Sequence, residues 1–290
     1  MDLEKYEAIG QPYVTIALAA YNEEECIGDC LRSLQQQDFK PLEILVVDDG
    51  STDDTAKICE KLGVRVVRGA HKGMGAARNL GIHSARGNIL VFADADMQFG
   101  PGYVSKLTAP IIRGEVVATC HWNEAVANWD NPWARCQTWF SGLPDRRRHP
   151  VAVAENSGQY RAARKDFLLD SGGFSEIQGY SADITISWRT NVYAKIVPDA
   201  ACSHRNIRNL SELFAESAWH GRGVAVPEGR RLLRCLAAVL LYNNPLFAIL
   251  RGLHIGIVKR EPRMALYSAV YSFGFASGIV RALLSGSYHK

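Results

Sequence analysis

Runs of branched apolar residues alternate with amphipathic segments through the first hundred positions of the chain. Val14 to Ala19 is a compact apolar run that reads as a buried strand. It breaks at Tyr21-Asn22-Glu23-Glu24, and a helix follows to about Gln36 with Ile27, Leu31 and Leu34 on one face. Glu43 to Val47 predicts a second strand, which stops abruptly in Asp48-Asp49-Gly50-Ser51. Asp53 opens another helix, its acidic first turn matching the helix dipole. Val64 to Val67 is a third strand and Gly73 to Ser84 a small-residue helix. Asn88 to Ala93 is a fourth strand, running into Asp94-Ala95-Asp96. This alternation specifies a mainly parallel sheet flanked by helices. Both acidic clusters then fall at its carboxyl edge, where ligands of open α/β sheets bind.

Past Pro110 the alternation weakens. Val116–Cys120, Gly158–Ala163 and Ala194–Val197 read as strands. Lys165–Leu169 reads as a short helix stopped by Gly172-Gly173, and Ile184–Asn191 as a further helix. From Leu232 to Val258 the chain is largely apolar around Asn243-Asn244-Pro245. Met264 to Val280 then carries no formal charge over 17 residues, between Arg263 and Arg281. That length barely reaches across a bilayer. Helices lying in the membrane plane, anchored by the flanking arginines, are favoured over a span. Ordinary packing against the rest of the protein is the third reading.

Composition narrows the class. The chain has 290 residues, 47% hydrophobic and 22% charged, enough for one large α/β domain with an appendage. A net charge of +3 gives no case for nucleic-acid binding, which needs a clustered basic face. The seven cysteines include no C-x-x-C pair, as expected of reduced buried thiols. The charged N-terminus, Met1 to Glu7, is unlike a signal peptide, so the expected location is the cytoplasm, at the cytoplasmic face of the membrane.

Chemistry concentrates in the acidic strand ends. Asp94 and Asp96, at i and i+2 on an extended segment, project to one side. Two carboxylates that close are stabilised by a cation, and hard oxygen ligands select Mg²⁺ or Mn²⁺. Asp48 and Asp49 can accept hydrogen bonds from a base or a ribose, or form a turn and helix cap through Asp49-Gly50-Ser51-Thr52. The backbone amides around Lys72 and Gly73, with Arg78, are placed at a helix start that can face a pyrophosphate.

Four segments stand in order and spacing over about residues 13 to 100: V-T-I-A-L-A-A-Y-N-E-E, I-L-V-V-D-D-G-S-T-D-D-T, K-G-M-G-A-A-R-N-L-G-I and I-L-V-F-A-D-A-D. Together they resemble glycosyltransferase family 2 with its GT-A fold, and the likeness continues more loosely through Gly172-Gly173-Phe174 to Asp183. The resemblance implies inverting transfer of a single sugar from a UDP- or GDP-sugar. It implies that Ala20, Tyr21, Glu23, Asp48 and Asp49 line base and ribose, that Lys72 and Arg78 lie near the donor, and that Asp94 and Asp96 hold the metal and ribose–diphosphate. Asp183 becomes the candidate base. The family's usual E-D pair is broken here, because Ala182 stands where Glu is common. His204 is a candidate metal or diphosphate contact.

The processive Q-x-x-R-W motif is absent, since Ala215-Glu216-Ser217-Ala218-Trp219 keeps only the tryptophan. His220-Gly221-Arg222-Gly223 reads either as a loop closing over the donor through Arg222 or as a plain glycine-rich turn. Arg146, Arg147 and Arg148 are candidates for gripping a polyprenyl-phosphate or other lipid-linked acceptor. The expected domains are a GT-A domain over 10–210, split at 100 into nucleotide-binding and acceptor-binding halves, and a helical, membrane-associated region over 211–290. A sugar nucleotidyltransferase and a catalytically impaired sugar-nucleotide-binding partner are the alternatives.

Overall fold

A computed structural model describes residues 13–177, 179–224 and 244–285. Positions 10–12 of the expected first domain, the apolar segment from Leu232 to Asn243 with its Cys235, and residues 286–290 lie outside the described residues. The chain forms two compact units. One draws on residues up to Ala125, Val151–Glu176 and Ala182–His204. The other draws on Val126–Pro150, Ile177–Ser181 and the chain from Arg205 onward. The segment 126–150 thus groups with the C-terminal helices, which a linear boundary at 210 does not foresee.

The first unit is built on a nine-stranded sheet ordered β3-β2-β1-β4-β8-β6-β9-β5, with β7 pairing β9. The strands are β1 (Val14–Ala20), β2 (Leu42–Asp48), β3 (Arg65–Arg68), β4 (Ile89–Asp94), β5 (Met97–Phe99), β6 (Ala118–Val126), β7 (Asn156–Ser157), β8 (Ala162–Arg164) and β9 (Ala194–His204). Around the sheet lie α1 (Ile27–Gln35), α2 (Thr55–Lys61), α3 (Met74–Ser84), α4 (Tyr103–Ile112), α6 (Lys165–Asp170) and α7 (Thr185–Thr190), with a 3₁₀ turn over Gly179–Ile184.

The four strands read most clearly from the sequence are the parallel ones, β3-β2-β1-β4. The near-continuous apolar character of β2, β1 and β4 follows from burial on both faces, while β3 is a partly exposed edge strand. Ile89, Val91 and Ala93 enter one core, while Leu90 and Phe92 enter the other. Beyond β4 the pairing becomes antiparallel, through β4–β8, β6–β8, β7–β9 and β5–β9. The sheet is therefore mixed. The structure also adds β5 and α4, which the apolar pattern does not announce. All six described cysteines are buried and none forms a disulfide.

The second unit comprises α5 (Pro132–Phe140), α8 (Leu210–Val224), α9 (Pro245–Lys259) and α10 (Arg263–Ser285). Both α5 and α9 start on an asparagine followed by proline. The Asn131 and Asn244 side chains accept the N–H groups of Trp133 and Leu246, at 2.8 and 3.0 Å. Cys136, Trp139, Ile207, Leu213, Met264 and Tyr267 form the unit's core. The stretch at His220-Gly221-Arg222-Gly223 is not a loop but the last turn of α8. Gly221 is small because the α10 backbone at Phe275 occupies the space a Cβ would need. Helix α10 is long and apolar enough to cross a membrane by length and composition, and it packs along α8 and α9 on one side.

At the amino end of the parallel strands, Glu43 ties three elements together. Its carboxylate accepts Thr15 Oγ1 at 2.6 Å, the Arg86 N–H at 2.9 Å and Arg65 Nη1 at 2.9 Å. Burial alone raises its pKa, but these hydrogen bonds outweigh it and bring the value below the ordinary one. A depressed carboxylate contributes stability above its unfolded pKa and loses it as pH falls through the folded one. Glu43→Ala is expected to cost about 1–3 kcal/mol at neutral pH, the range for stranding buried donors. The gap to the unsubstituted protein should close as pH drops from about 5 toward 3, as read by urea denaturation at both ends.

Candidate active site

Strand register brings the acidic ends together. Ala20 lies opposite Asp48 across β1–β2, and Ala19 lies opposite Asp94 across β1–β4. The loops after β1 and β2 are stitched to each other. Asn22 N–H donates to Ser51 Oγ at 3.0 Å, Thr52 N–H donates to Asn22 Oδ1 at 2.8 Å, and Glu23 N–H donates to Thr55 Oγ1 at 2.8 Å. Tyr21 stays exposed and its ring lies 4.1 Å from that of His71, centroid to centroid.

Asp48 and Asp49 are buried at this edge, but their oxygens serve the backbone. Asp48 Oδ1 accepts the Ser51 N–H at 3.0 Å. Asp49 accepts the N–H groups of Lys72 at 3.0 Å and Gly73 at 2.8 Å, one on each oxygen. The resemblance implies direct donor contacts for both. The geometry makes Asp49 the latch of the loop that leads into α3, and Lys72 is held there through its amide.

Helix α3 is rich in small residues because other backbone runs against it. A Cβ on Gly75 would strike the Ser175 carbonyl, and one on Gly81 would meet Ala17. Asn79 clamps the Gly172-Gly173-Phe174 turn from both sides. Its Nδ2 donates to Phe174 O at 2.9 Å and its Oδ1 accepts the Phe174 N–H at 2.8 Å. With α3 so fixed, Arg78 is 5% exposed and reaches into the site. Its Nη2 donates to Asp94 Oδ1 at 3.0 Å, its Nη1 pairs with Asp183 Oδ1, and its guanidinium lies 5.5 Å from the Phe174 ring centroid.

The second oxygen of Asp94 accepts Arg161 Nη1 at 2.7 Å. Burial works against the Asp94 charge, yet Arg161, Arg78 and His204 together hold its pKa well below the usual carboxylate range. Burial likewise opposes the Arg161 charge, and Asp94 with Glu124 outweighs it, so this arginine is held more firmly protonated than usual. Arg161 was not among the expected site residues. The signal available in the sequence is one cation inside the apolar run Tyr160–Ala163.

Asp96 has different company. The pairing of Met97 with His204 across β5–β9 puts the histidine beside it, with His204 Nε2 2.9 Å from Asp96 Oδ1. His204 Nδ1 lies 2.6 Å from Glu124 Oε1, and Glu124 Oε2 lies 3.2 Å from His121 Nε2. His121 Nδ1 is 2.7 Å from the Tyr103 hydroxyl. Carboxylate oxygen and imidazole nitrogen form a donor set suited to a divalent ion such as Mn²⁺. Asp96 and His204 present that set, while both oxygens of Asp94 are engaged by arginines.

Asp183 sits on the 3₁₀ turn before α7. Ala182 beside it is fully buried, and its carbonyl accepts Thr185 Oγ1 at 2.7 Å. The remaining candidates lie in the second unit. Arg148 donates to Arg205 O at 3.3 Å and also to Asn206 Oδ1. Arg146, at φ 65°, lies 5.8 Å from the Trp129 ring centroid. Arg147 Nε is buried without a hydrogen-bond partner. Arg222 is on α8, its pKa lowered by burial and by Arg281.

The chain is similar to known glycosyltransferases in sequence and in fold. The family model for Glycosyl transferase family 2 matches residues 15–172. A Bacillus subtilis protein named as a glycosyltransferase, EpsH, is 37% identical over 101 residues, which cover 33% of this chain and 29% of its own length. An uncharacterized glycosyltransferase of Mycobacterium tuberculosis, Rv0539, is 32% identical over 174 residues, 60% of this chain and 77% of that one. Among solved structures, the mannosyltransferase PcManGT from Pyrobaculum calidifontis, in complex with GDP-Man and Mn²⁺, matches with a TM-score of 0.61 at 18% identity. That match covers 94% of this chain and 88% of the other. Glucosyl-3-phosphoglycerate synthase from Mycobacterium tuberculosis, in complex with Mn²⁺, UDP and phosphoglyceric acid, matches with a TM-score of 0.52 at 25% identity, over 81% and 82%. The sheet with its flanking helices is the GT-A fold. With more than half of its length matched by the family model, the chain belongs to glycosyl transferase family 2.

Proposed function

We propose that the protein transfers a single sugar from a UDP- or GDP-sugar to an acceptor hydroxyl with inversion at the anomeric carbon. The observation that carries this reading is Arg78, which joins Asp94 and Asp183 in one cluster at the carboxyl edge of the sheet. Asp183 takes the acceptor proton as the hydroxyl oxygen attacks and the bond to the diphosphate breaks. The Arg78 pair engages Oδ1 of Asp183, and Oδ2 is the oxygen assigned to the acceptor proton. Ala20, Tyr21 and Glu23 face the donor from the end of β1, and Asp49 shapes the Lys72–Gly73 loop beside it. Asp96 and His204 hold Mg²⁺ or Mn²⁺, with Asp94 alongside; such a cation supplies neutralising charge at a departing diphosphate.

A panel of nucleotide sugars, screened by thermal shift with and without Mn²⁺, identifies the donor, because a bound ligand stabilises the fold. With that donor, Asp183→Asn is expected to lower kcat by about 10²–10⁴, the span typical of a lost general base, while donor affinity stays near its original value. Full turnover by Asp183→Asn would falsify the assignment.

The acceptor is read as a polyprenyl-phosphate or lipid-linked glycan, met at the cytoplasmic face of a membrane. Leu246, Leu250, Leu253 and Ile257 form an exposed apolar stripe along α9, and Phe247 lies exposed beside it. Helix α10 exposes Leu266, Phe273, Val280 and Leu284. Across 245–285 the one acidic residue is Glu261, which is paired with Arg135 and Arg263, against Arg251, Lys259, Arg260, Arg263 and Arg281. An apolar face edged by cations suits an anionic bilayer surface. Arg146 and Arg147 are the cations proposed for the acceptor phosphate, since Arg148 is tied to Asn206. The triple change Leu246→Ser, Leu250→Ser and Leu253→Ser is expected to weaken co-sedimentation with anionic vesicles at least about tenfold, from the area of apolar surface it removes. Undiminished co-sedimentation would sink the membrane reading.

A further inference from the structure

We propose that Glu124 is a positioning residue that orients His204 toward the divalent cation held with Asp96. The inference rests on the metal-dependent reading above and assigns a role to a residue that does not itself touch the reacting atoms. Glu124 is 5% exposed, and its carboxylate is bracketed by two imidazoles, His204 Nδ1 at 2.6 Å and His121 Nε2 at 3.2 Å. The far nitrogen of each ring is also engaged, His121 Nδ1 by the Tyr103 hydroxyl and His204 Nε2 by Asp96.

These distances fit the following placement of protons in the buried part of this chain. Tyr103 O–H donates to His121 Nδ1, His121 Nε2–H donates to Glu124 Oε2, and His204 Nδ1–H donates to Glu124 Oε1. An ionised carboxylate only accepts, so Glu124 makes Nδ1 of His204 the donor and turns Nε2 toward Asp96 Oδ1. In the neutral ring two acceptors then face each other at 2.9 Å, and a proton or a cation is needed between them. A carboxylate behind a metal-binding histidine fixes tautomer and ring orientation in this way. The alternation of buried positions along β6 shifts between His121 and Glu124. Residues i and i+3 of a regular strand face opposite sides, yet His121 and Glu124 meet within β6. His204 comes from β9, so the carboxylate also joins two strands of the sheet.

Glutamine at this position keeps the size and one acceptor oxygen, but its NH₂ group must face a ring nitrogen that already donates. Glu124→Gln therefore forces one imidazole out of its tautomer. The test is an EPR titration of Mn²⁺ alone into the full chain, the Glu124→Gln variant and the Asp96→Asn variant. Glu124→Gln is expected to bind Mn²⁺ about 10–100-fold more weakly and to lose or weaken the ¹⁴N coupling of the bound ion to imidazole, with its thermal unfolding cooperative. A folded Glu124→Gln that keeps both affinity and ¹⁴N coupling overturns the proposal. Unchanged affinity in Asp96→Asn instead overturns the metal site itself, and the two failures are thereby told apart. If Glu124→Gln does not fold, Glu124→Asp, which keeps the charge but falls one methylene short of the rings, is held to the same expectation.

Discussion

The site depends on one buried charge cluster, in which Asp94 is gripped by Arg78 on one oxygen and by Arg161 on the other. Removing ions from water costs several kcal/mol each, and breaking such a pair strands the remaining charge. The cluster therefore constrains every element that supplies it. Arg78 must come off α3 at the correct turn, which is why Asn79 and Gly75 fasten that helix to the Phe174–Ser175 backbone. Arg161 must enter beside β8, antiparallel to β4. Asp183 completes the set from the 3₁₀ turn.

Charge balance then divides the site. On the Asp94 side, two carboxylates face two guanidinium groups. On the Asp96 side, the carboxylates of Asp96 and Glu124 face the imidazoles of His204 and His121, which are not permanent cations. Arg161 also feels Glu124 and Asp94 also feels His204, so the sides share charge. What separates them is direct contact, guanidinium groups on Asp94 and an imidazole on Asp96. The proposed placement of the dication at Asp96 rests on that difference. In the proposed site the two aspartates are therefore not equivalent. The first serves as an electrostatic anchor for the arginines, and the second is the one with capacity to spare.

The parallel strands and the acidic residues at their ends were legible because two-sided burial leaves unbroken apolar runs that stop where the chain turns into solvent. The partners of those residues were not legible. Nothing in a single sequence links Asp94 to Arg161, sixty-seven positions away, or Glu124 to His204, since residue type does not encode a contact made by antiparallel pairing of later strands. Asp49 carries a second role that is hidden in a related way. An acidic residue at a strand end fits a ribose contact or a turn, and the two are compatible: the Lys72 and Gly73 amides take one lone pair on each oxygen. His220 to Gly223 misleads through glycine itself, which lowers helix propensity and so suggests a loop. At Gly221 close approach of α10 requires the missing side chain, and tertiary contact outweighs propensity.

The same logic resolves the uncharged stretch from Met264 to Val280. A helix that lets another backbone approach closely and a helix that crosses lipid draw on one composition, rich in glycine, serine and apolar residues. Composition therefore could not choose between them. The structure sorts the residues by face. Gly274 and Gly278 have no room for a Cβ against Ser217 and Ala218 of α8, and Ser268 lies against Gly252 of α9. Phe273, Val280 and Leu284 are left outside. Glycines placed where α8 presses closest are a packing requirement, independent of any membrane. Phe273 still meets the Phe214 ring of α8, 6.3 Å between centroids, while Val280 and Leu284 are exposed and are the residues that the proposed membrane association would place against a bilayer.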